Sequence, residues 1–311
     1  MNSPIFIVGA GAIGKALAVF LTHANKEVIL IRGRETSKES DHEEVEVTMP
    51  DQTVIRAVVT IHSLRQFNQL RGTVVLANKS FGNATLAKLL LHKIGNWPLV
   101  ILQNGLGVER PFVEAGFRSV YRCVLLATSQ FVGNSALNFK PVAESPIGKV
   151  VGQDIQLEAL VAQLNTSMFS FRLEPDIQLF VWKKTIANCV FNSICPLLDI
   201  DNGVFYRHEV AHAMATRVVQ ECVHIANATG IALTVKDVFD NIILISRASD
   251  GQLISTLQDI RNNRQTEIDT LNFEIVRQAE ALGLSNYVLE TKLLGELIQL
   301  RSELSLNNFK T

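Results

Sequence analysis

The chain opens on the pattern that most narrows its possible folds. Ile5-Phe6-Ile7-Val8 is a short apolar run of strand type. Gly9-Ala10-Gly11-Ala12-Ile13-Gly14 follows at once, and Lys15-Ala16-Leu17-Ala18-Val19-Phe20-Leu21 continues with helical composition. Strand, G-x-G-x-x-G, helix is the order a dinucleotide site requires. Gly9 suits the tight turn, Gly11 lets backbone approach a pyrophosphate, and Gly14 lets helix and strand pack closely. The helix N-terminus offers its N–H groups and positive dipole end to phosphates. Gly9, Ala10, Gly11, Ala12, Ile13 and Gly14 are therefore the candidate cofactor-binding residues, the alternative being a glycine-rich structural turn.

A second strand is expected at Val28-Ile29-Leu30-Ile31, and its end bears on which dinucleotide binds. An acidic residue there bonds a ribose 2′-hydroxyl, whereas an arginine suits a 2′-phosphate. This chain reads Ile31-Arg32-Gly33-Arg34, with its first carboxylate, Glu35, later. A guanidinium matches phosphate bidentately. Arg32, with Arg34 as a second candidate, favours NADP(H) over NAD(H); a solvated surface arginine is the alternative.

With 311 residues the chain exceeds what one core usually holds, and 47% hydrophobic content supplies ample apolar area. Short β-branched runs alternate with helical segments in the first half: Thr73-Val74-Val75-Leu76-Ala77, Leu99-Val100-Ile101-Leu102 and Cys123-Val124-Leu125-Leu126-Ala127. Two hairpins are expected. One pairs Val45 to Met49 with Val54 to Ile61 around Pro50-Asp51-Gln52, and the other brackets Glu144-Ser145-Pro146. After Glu174-Pro175-Asp176 nearly everything has helical period, broken at Asp201-Asn202-Gly203, Gly230 and Gly283. The reading is an α/β chain: a Rossmann-type parallel-sheet domain over 1–174 that binds NADP, then an all-helical substrate domain over 175–311, with the site expected in the cleft between them.

Within the helical half, Lys184, Asn188 and Asn192 stand at i, i+4 and i+8 on one face of a segment that is otherwise apolar. Ile186, Ala187, Cys189, Val190, Phe191 and Ile194 fill the other faces, so the helix is expected to be buried. Burying an ammonium and two carboxamides without partners is costly. A polar ligand or water would remove that cost; so would neighbouring backbone. Two strand-end loops add candidates, Lys79 in Leu76-Ala77-Asn78-Lys79-Ser80 and Asn104 in Leu102-Gln103-Asn104-Gly105-Leu106-Gly107, each either a ligand contact or a turn residue. Ser255 and Gln258 form a capping-box pattern opening a helix expected to run through Arg261, Arg264, Glu267 and Asp269. Ser255 as a plain cap and Glu267 as a surface carboxylate are the alternatives.

His208-Glu209-Val210-Ala211-His212 matches the zinc motif H-E-x-x-H. Ala215 and Val218 stand where the extended motif needs Gly and His, and His224 is too far along the same helix to reach one ion. Chance is the better account, and no metal is expected. Net charge is −1 with no basic tract, so neither nucleic acid nor an anionic membrane is implied as a partner. Cys123, Cys189, Cys195 and Cys222 lack metal-type spacing and suit a reducing cytoplasm. The N-terminus does not read as a signal peptide, and no apolar run suggests a membrane span.

Taken together, these motifs resemble the ketopantoate reductases (2-dehydropantoate 2-reductases) over nearly the whole chain. The resemblance rests on Gly9 to Gly14, Gln103-Asn104-Gly105-Leu106-Gly107 and Trp182-Lys183-Lys184-Thr185-Ile186-Ala187-Asn188-Cys189-Val190-Phe191-Asn192. It continues in Asp201-Asn202-Gly203, Ser255-Thr256-Leu257-Gln258-Asp259-Ile260-Arg261 and Thr266-Glu267-Ile268-Asp269. It implies NADPH-dependent reduction of 2-dehydropantoate to (R)-pantoate, a step of pantothenate and coenzyme A synthesis. Lys184 would then fall on the catalytic lysine and Glu267 on an acidic residue near cofactor and substrate. Asn188, Asn192, Asn202 and Ser255 would fall on substrate positions, Asn104 on a cofactor-contacting asparagine, and Lys79 on a loop lysine near the active site. The chain departs from the family pattern at Asn272-Phe273, where a small residue usually follows the asparagine. Another small 2-oxo acid as substrate, or a non-catalytic NADP(H)-sensing protein, are the rival readings, and a homodimer is one open assembly.

Overall fold

Runs of three or four residues that are buried on both sides make the central strands, because a parallel sheet covered by helices shows water neither face. The computed structural model describes residues 3–33, 40–153 and 155–307. In chain order the first of two compact units contains β1 (Ile5–Val8), α1 (Ala12–His23), β2 (Val28–Ile31), β3 (Ser40–Thr48), β4 (Val54–His62), β5 (Thr73–Leu76), α2 (Asn83–Ile94), β6 (Leu99–Ile101), α3 (Arg110–Glu114), β7 (Val120–Cys123), β8 (Ala127–Phe131), β9 (Ala136–Pro141), β10 (Ser145–Val151), α4 (Ile155–Leu164) and β11 (Phe171–Leu173). Among the described residues these strands form one sheet in the order β11-β10-β7-β6-β5-β1-β2-β4-β3-β9-β8.

The centre, β7-β6-β5-β1-β2-β4, is parallel throughout. Alternation along each strand splits the core in two. Ile5, Ile7, Val75 and Val100 face α1 and α4, while Phe6, Val8, Val74, Leu76, Leu99 and Ile101 face α2 and α3. Helices therefore cover both faces, the doubly wound arrangement. The register Ile31↔Val8↔Leu76↔Ile101 brings the carboxyl ends of four strands to one edge. There the chain turns at Gly9, Arg32, Ala77 and Leu102.

The first expected hairpin is present, turning at Gln52 in a left-handed conformation (φ +67°), although β3 begins at Ser40 rather than Val45. The second is not where the sequence suggested. β9 pairs with β8 across the turn 132–135, and β10 pairs instead with β7 and β11. Ser145 is not in a turn: it is fully buried and accepts a hydrogen bond from the Leu126 amide at 2.9 Å. Pro146 lies within β10, where its carbonyl accepts from Val124. The run Cys123 to Ala127 likewise straddles the end of β7 and the start of β8.

The second unit comprises residues 104–107 and 178–311. Its helices are α5 (Ile177–Leu198, whose first residue belongs to the first unit), α6 (Val204–Arg207), α7 (Glu209–Ala228), α8 (Val235–Ala248), α9 (Ser255–Arg261), α10 (Asn272–Ala281) and α11 (Leu289–Asn307). Breaks fall at Asp201 to Gly203, at Gly230 and at Gly283, as the sequence indicated. The helix starting at Ser255 is shorter than expected. It stops at Arg261, Asn263 takes a left-handed φ of +51°, and only a single tight turn, Ile268–Thr270, follows. Phe273 lies against Gly295 of α11, where a Cβ would sit 3.4 Å from the ring, so the bulky residue on α10 is met by the smallest one on α11.

All four cysteines are free and buried. Burial, with Asp201 nearby, pushes the Cys195 thiol up to about 12, so its reactive thiolate is suppressed at pH 8. The native protein should therefore leave its cysteines unreactive toward a chromogenic disulfide at pH 8, with all four reacting in guanidinium. A thiol that reacts within seconds in the native state would contradict this packing.

Candidate functional site

At the carboxyl edge of the sheet, the glycine turn divides into positions required by packing and one that is not. Gly9 has φ +121°, and a Cβ there would meet the Asn78 backbone nitrogen at 2.4 Å. A Cβ on Gly14 would stand 1.9 Å from the Gly9 carbonyl oxygen. Gly11, by contrast, is exposed and has nothing within 4 Å of its Cβ position. Internal packing explains Gly9 and Gly14; the open space at Gly11 is a cradle that a side chain would fill. Gly11 is also the N-cap of α1, with no side-chain cap and no acidic residue in the first turn. The backbone N–H groups of the first turn (Ala12, Ile13 and Gly14) thus lack a side-chain acceptor, an arrangement suited to phosphate.

Arg32 follows β2 and is fixed to the sheet. Its amide donates to the His62 carbonyl at 2.9 Å, and its guanidinium donates to the Ile61 carbonyl at 3.3 Å. Arg34 lies outside the described residues. After β5, Lys79 is exposed, whereas Asn78 places a buried Oδ1 without a hydrogen-bond partner beside the glycine turn. Asn78 was passed over in the sequence because a single loop asparagine carries no spacing signal. Asn83 was passed over too. It exchanges two hydrogen bonds with Gln103 (2.7 and 3.0 Å) and donates to the Val108 carbonyl at 2.8 Å, clamping both ends of the segment that carries Asn104.

In the helical unit, α5 is buried on several faces as its composition required. Val181, Trp182, Ile186, Ala187, Cys189, Val190 and Phe191 are all 5% exposed or less. Along the polar stripe Lys184 and Asn188 are half-buried and Asn192 is buried. Asn192 Oδ1 accepts from the Ser255 hydroxyl at 3.2 Å and the Thr256 amide at 3.3 Å. The capping box is not formed: Ile254 is the N-cap of α9, Ser255 turns to Asn192, and Gln258 Nε2 donates to the Leu253 carbonyl. Asn192 therefore caps the helix from outside.

Asn202 is buried, and its Oδ1 has no hydrogen-bond partner. Its backbone is fixed by Ser246, which donates to its carbonyl at 2.7 Å, and by the Gln252 carbonyl, which accepts from its amide at 2.9 Å. The neighbouring Asp201 accepts from the Gly203 and Gly251 amides and pairs with Arg207 at 2.7 Å. Desolvation pushes its carboxyl up, but these bonds together outweigh it and leave the group below the ordinary range. Elsewhere in the unit, Asn104 Nδ2 donates to Glu267 Oε2 at 3.5 Å, and Glu267 is buried rather than a surface carboxylate. Gly105 (φ +93°) lies so close to Thr270 that a Cβ would meet its carbonyl oxygen at 2.4 Å. The structure thus joins Asn192 with Ser255 and Asn104 with Glu267.

His208 is the N-cap of α7, with its Nδ1 accepting from the Val210 amide, and His212 packs edge-on to Phe239. His208 thus stands at the N-cap with its Nδ1 engaged by the Val210 amide, rather than inside a helix as the zinc motif has it. Among the described residues no group of three His, Cys, Asp or Glu is placed to hold a metal, and no helix is long and apolar enough to cross a membrane.

Comparison with known proteins places this geometry in context. Residues 5–140 match the family model described as Ketopantoate reductase PanE/ApbA, and residues 176–299 match its C-terminal counterpart. A 2-dehydropantoate 2-reductase of Pyrobaculum aerophilum is 34% identical over 66% of this chain and 70% of its own length. The Pyrococcus abyssi enzyme of that name is 28% identical over 90% of this chain and 92% of its own. Among solved structures, a family ketopantoate reductase from Ralstonia eutropha superposes with a TM-score of 0.84 at 24% identity, covering 97% of this chain and 99% of that one. A D-mandelate dehydrogenase with NADH and anilino(oxo)acetate gives 0.82 at 22%, covering 98% and 99%. A Staphylococcus aureus ketopantoate reductase described as dimeric gives 0.80 at 17%, covering 97% and 99%. The chain belongs to the ketopantoate reductase family of oxidoreductases.

Substitutions at the glycines allow fold and binding to be tested apart. Gly11→Ala should melt like the wild type, since no atom obstructs the added methyl, yet bind dinucleotide much more weakly in a calorimetric titration. Gly14→Ala should lower the melting temperature, because its methyl overlaps the Gly9 carbonyl. Equal melting temperatures for the two variants would refute this assignment.

Proposed function

We propose that this protein reduces 2-dehydropantoate to (R)-pantoate with NADPH. The observation that carries the reading is the polar stripe of Lys184, Asn188 and Asn192 on a helix otherwise buried in apolar contacts. It is supported by the unmatched Oδ1 of buried Asn202 and by the names of the relatives. Gly9, Ala10, Gly11, Ala12, Ile13 and Gly14 would hold the cofactor's phosphates, Arg32 its 2′-phosphate, and Lys79 and Asn104 its remaining polar groups. The dihydronicotinamide supplies hydride when bound. As hydride reaches the ketone carbon, negative charge grows on the oxygen, and a donor acting at that moment lowers the barrier. Lys184 polarises that carbonyl and hands the alkoxide a proton as general acid. Asn188, Asn192, Asn202 and Ser255 hold the substrate's carboxylate and hydroxyl, and Glu267 orients Asn104, which donates to it.

A second reading, reduction of a different 2-oxo acid, is favoured by the likeness to D-mandelate dehydrogenase, which was solved with NADH rather than NADPH. A panel of aliphatic and aromatic 2-oxo acids, assayed by NADPH oxidation, separates the two. The residue divisions 1–174 and 175–311 as cofactor and substrate domains, a cytoplasmic location and pairing into a homodimer are part of the same proposal.

Lys184→Ala should lower kcat by on the order of 10²–10⁴-fold, the range for lost acid catalysis. NADPH affinity should be nearly unchanged, since the glycine turn and Arg32 hold the phosphates. Lys183→Ala, about 100° around the helix, should be much milder. Equally mild effects with a confirmed substrate would show the stripe to be structural.

A further inference from the structure

The edge where Arg32 lies also carries a carboxylate that its distance in sequence conceals. Ile61 of β4 is in register with Leu30 of β2 on one side and with Asp41 of β3 on the other. Asp41 thus stands two strands across, about 10 Å between backbones, a span that a long arginine side chain bridges. Asp41 Oδ2 lies 3.7 Å from Arg32 Nη2. The pair is unequal in exposure: the Arg32 side chain is 16% exposed and that of Asp41 41%. Arg32 is held down by the Ile61 carbonyl, so the carboxylate forms the outer side of the pair. Its strand is anchored as well. Glu43, two residues along β3, bonds the ammonium of Lys15 on α1 at 2.5 Å, and Lys15 is buried.

From this geometry we infer that Asp41 is a specificity-determining residue that weakens discrimination between the two nicotinamide dinucleotides; the inference rests on the reading of Arg32 as the 2′-phosphate contact. A 2′-phosphate carries nearly two negative charges at neutral pH, and it must share Arg32 with a carboxylate that repels it. A 2′-hydroxyl has no charge to repel and donates a hydrogen bond to the same carboxylate, as acidic residues do at NAD sites. Arg32 favours the phosphate and Asp41 the hydroxyl. The wild-type protein accepts both cofactors, with NADPH preferred only modestly.

The test is calorimetric titration of the full chain with NADPH and NADH, and with adenosine 2′,5′-bisphosphate and ADP as fragments that exclude any effect of the nicotinamide. Asp41→Asn keeps shape and removes charge. It should tighten NADPH and the bisphosphate about two- to tenfold, the scale of a partly exposed ion pair, and leave NADH and ADP unchanged or weaker. The gain should shrink at high salt. Asp41→Ser removes the same charge and repeats the measurement if the first variant folds poorly. If Arg32→Ala selectively weakens NADPH while Asp41→Asn changes nothing, or changes both cofactors equally, Asp41 is not the determinant. If Arg32→Ala weakens both cofactors equally, Arg32 does not read the phosphate, and the cofactor reading fails along with the inference.

Discussion

Three stretches of backbone meet at Gly9 with no room for side chains between them. The Gly9 Cβ position falls on the Asn78 amide after β5, and that of Gly14 on the Gly9 carbonyl. This contact brings α1 against the end of β1, so the helix starts at the point where neighbouring strands finish. The core on either side reinforces it. Phe6 and Val8 fix one face of β1 against α2 and α3, Ile5 and Ile7 the other against α1 and α4, and a slip of one residue would exchange the two sets between cores packed for different side chains. A rigid turn of this kind is what an anion site requires, because N–H groups that must reorganise to meet a phosphate bind it less well.

What was legible in the sequence was what neighbours in sequence decide. β1, β2, β5 and β6 are apolar runs ended by turn residues, and their bounds agree with the expected ones to within a residue. The glycine turn, the first hairpin and the helical breaks at Gly230 and Gly283 are local too. The errors came where a local signal was overruled by a distant partner. Ser145-Pro146 has turn composition, but the buried Ser145 hydroxyl accepts the Leu126 amide and the segment becomes a strand against β7. Gly133-Asn134-Ser135 carried the true turn between β8 and β9. Ser255 has capping-box spacing, yet its hydroxyl is drawn to Asn192, 63 positions away. Arg32 with Asp41 and Asn83 with Gln103 depend on strand order and register, which no short window contains.

Along the α5 stripe burial deepens from Lys184 and Asn188 to Asn192, a gradient that bears on which of them a ligand of the proposed kind would meet. Asn192 sits at the buried end, and its carbonyl oxygen already accepts from Ser255 and Thr256. Its first task is structural: it starts α9 and sets the Ser255 hydroxyl in place. Lys184 and Asn188, two turns and one turn earlier, are half-buried, where solvent or a small acid can still reach them. Asn202 completes the gradient from a different element, its backbone pinned by Ser246 and Gln252 while its Oδ1 stays unmatched. A buried carbonyl oxygen without a donor costs on the order of 1–3 kcal/mol, and a ligand hydroxyl is the group that would remove that cost. Asn192 thus serves the fold through Ser255 and Thr256, and the proposed chemistry falls to the less buried end of the stripe, which carries Lys184.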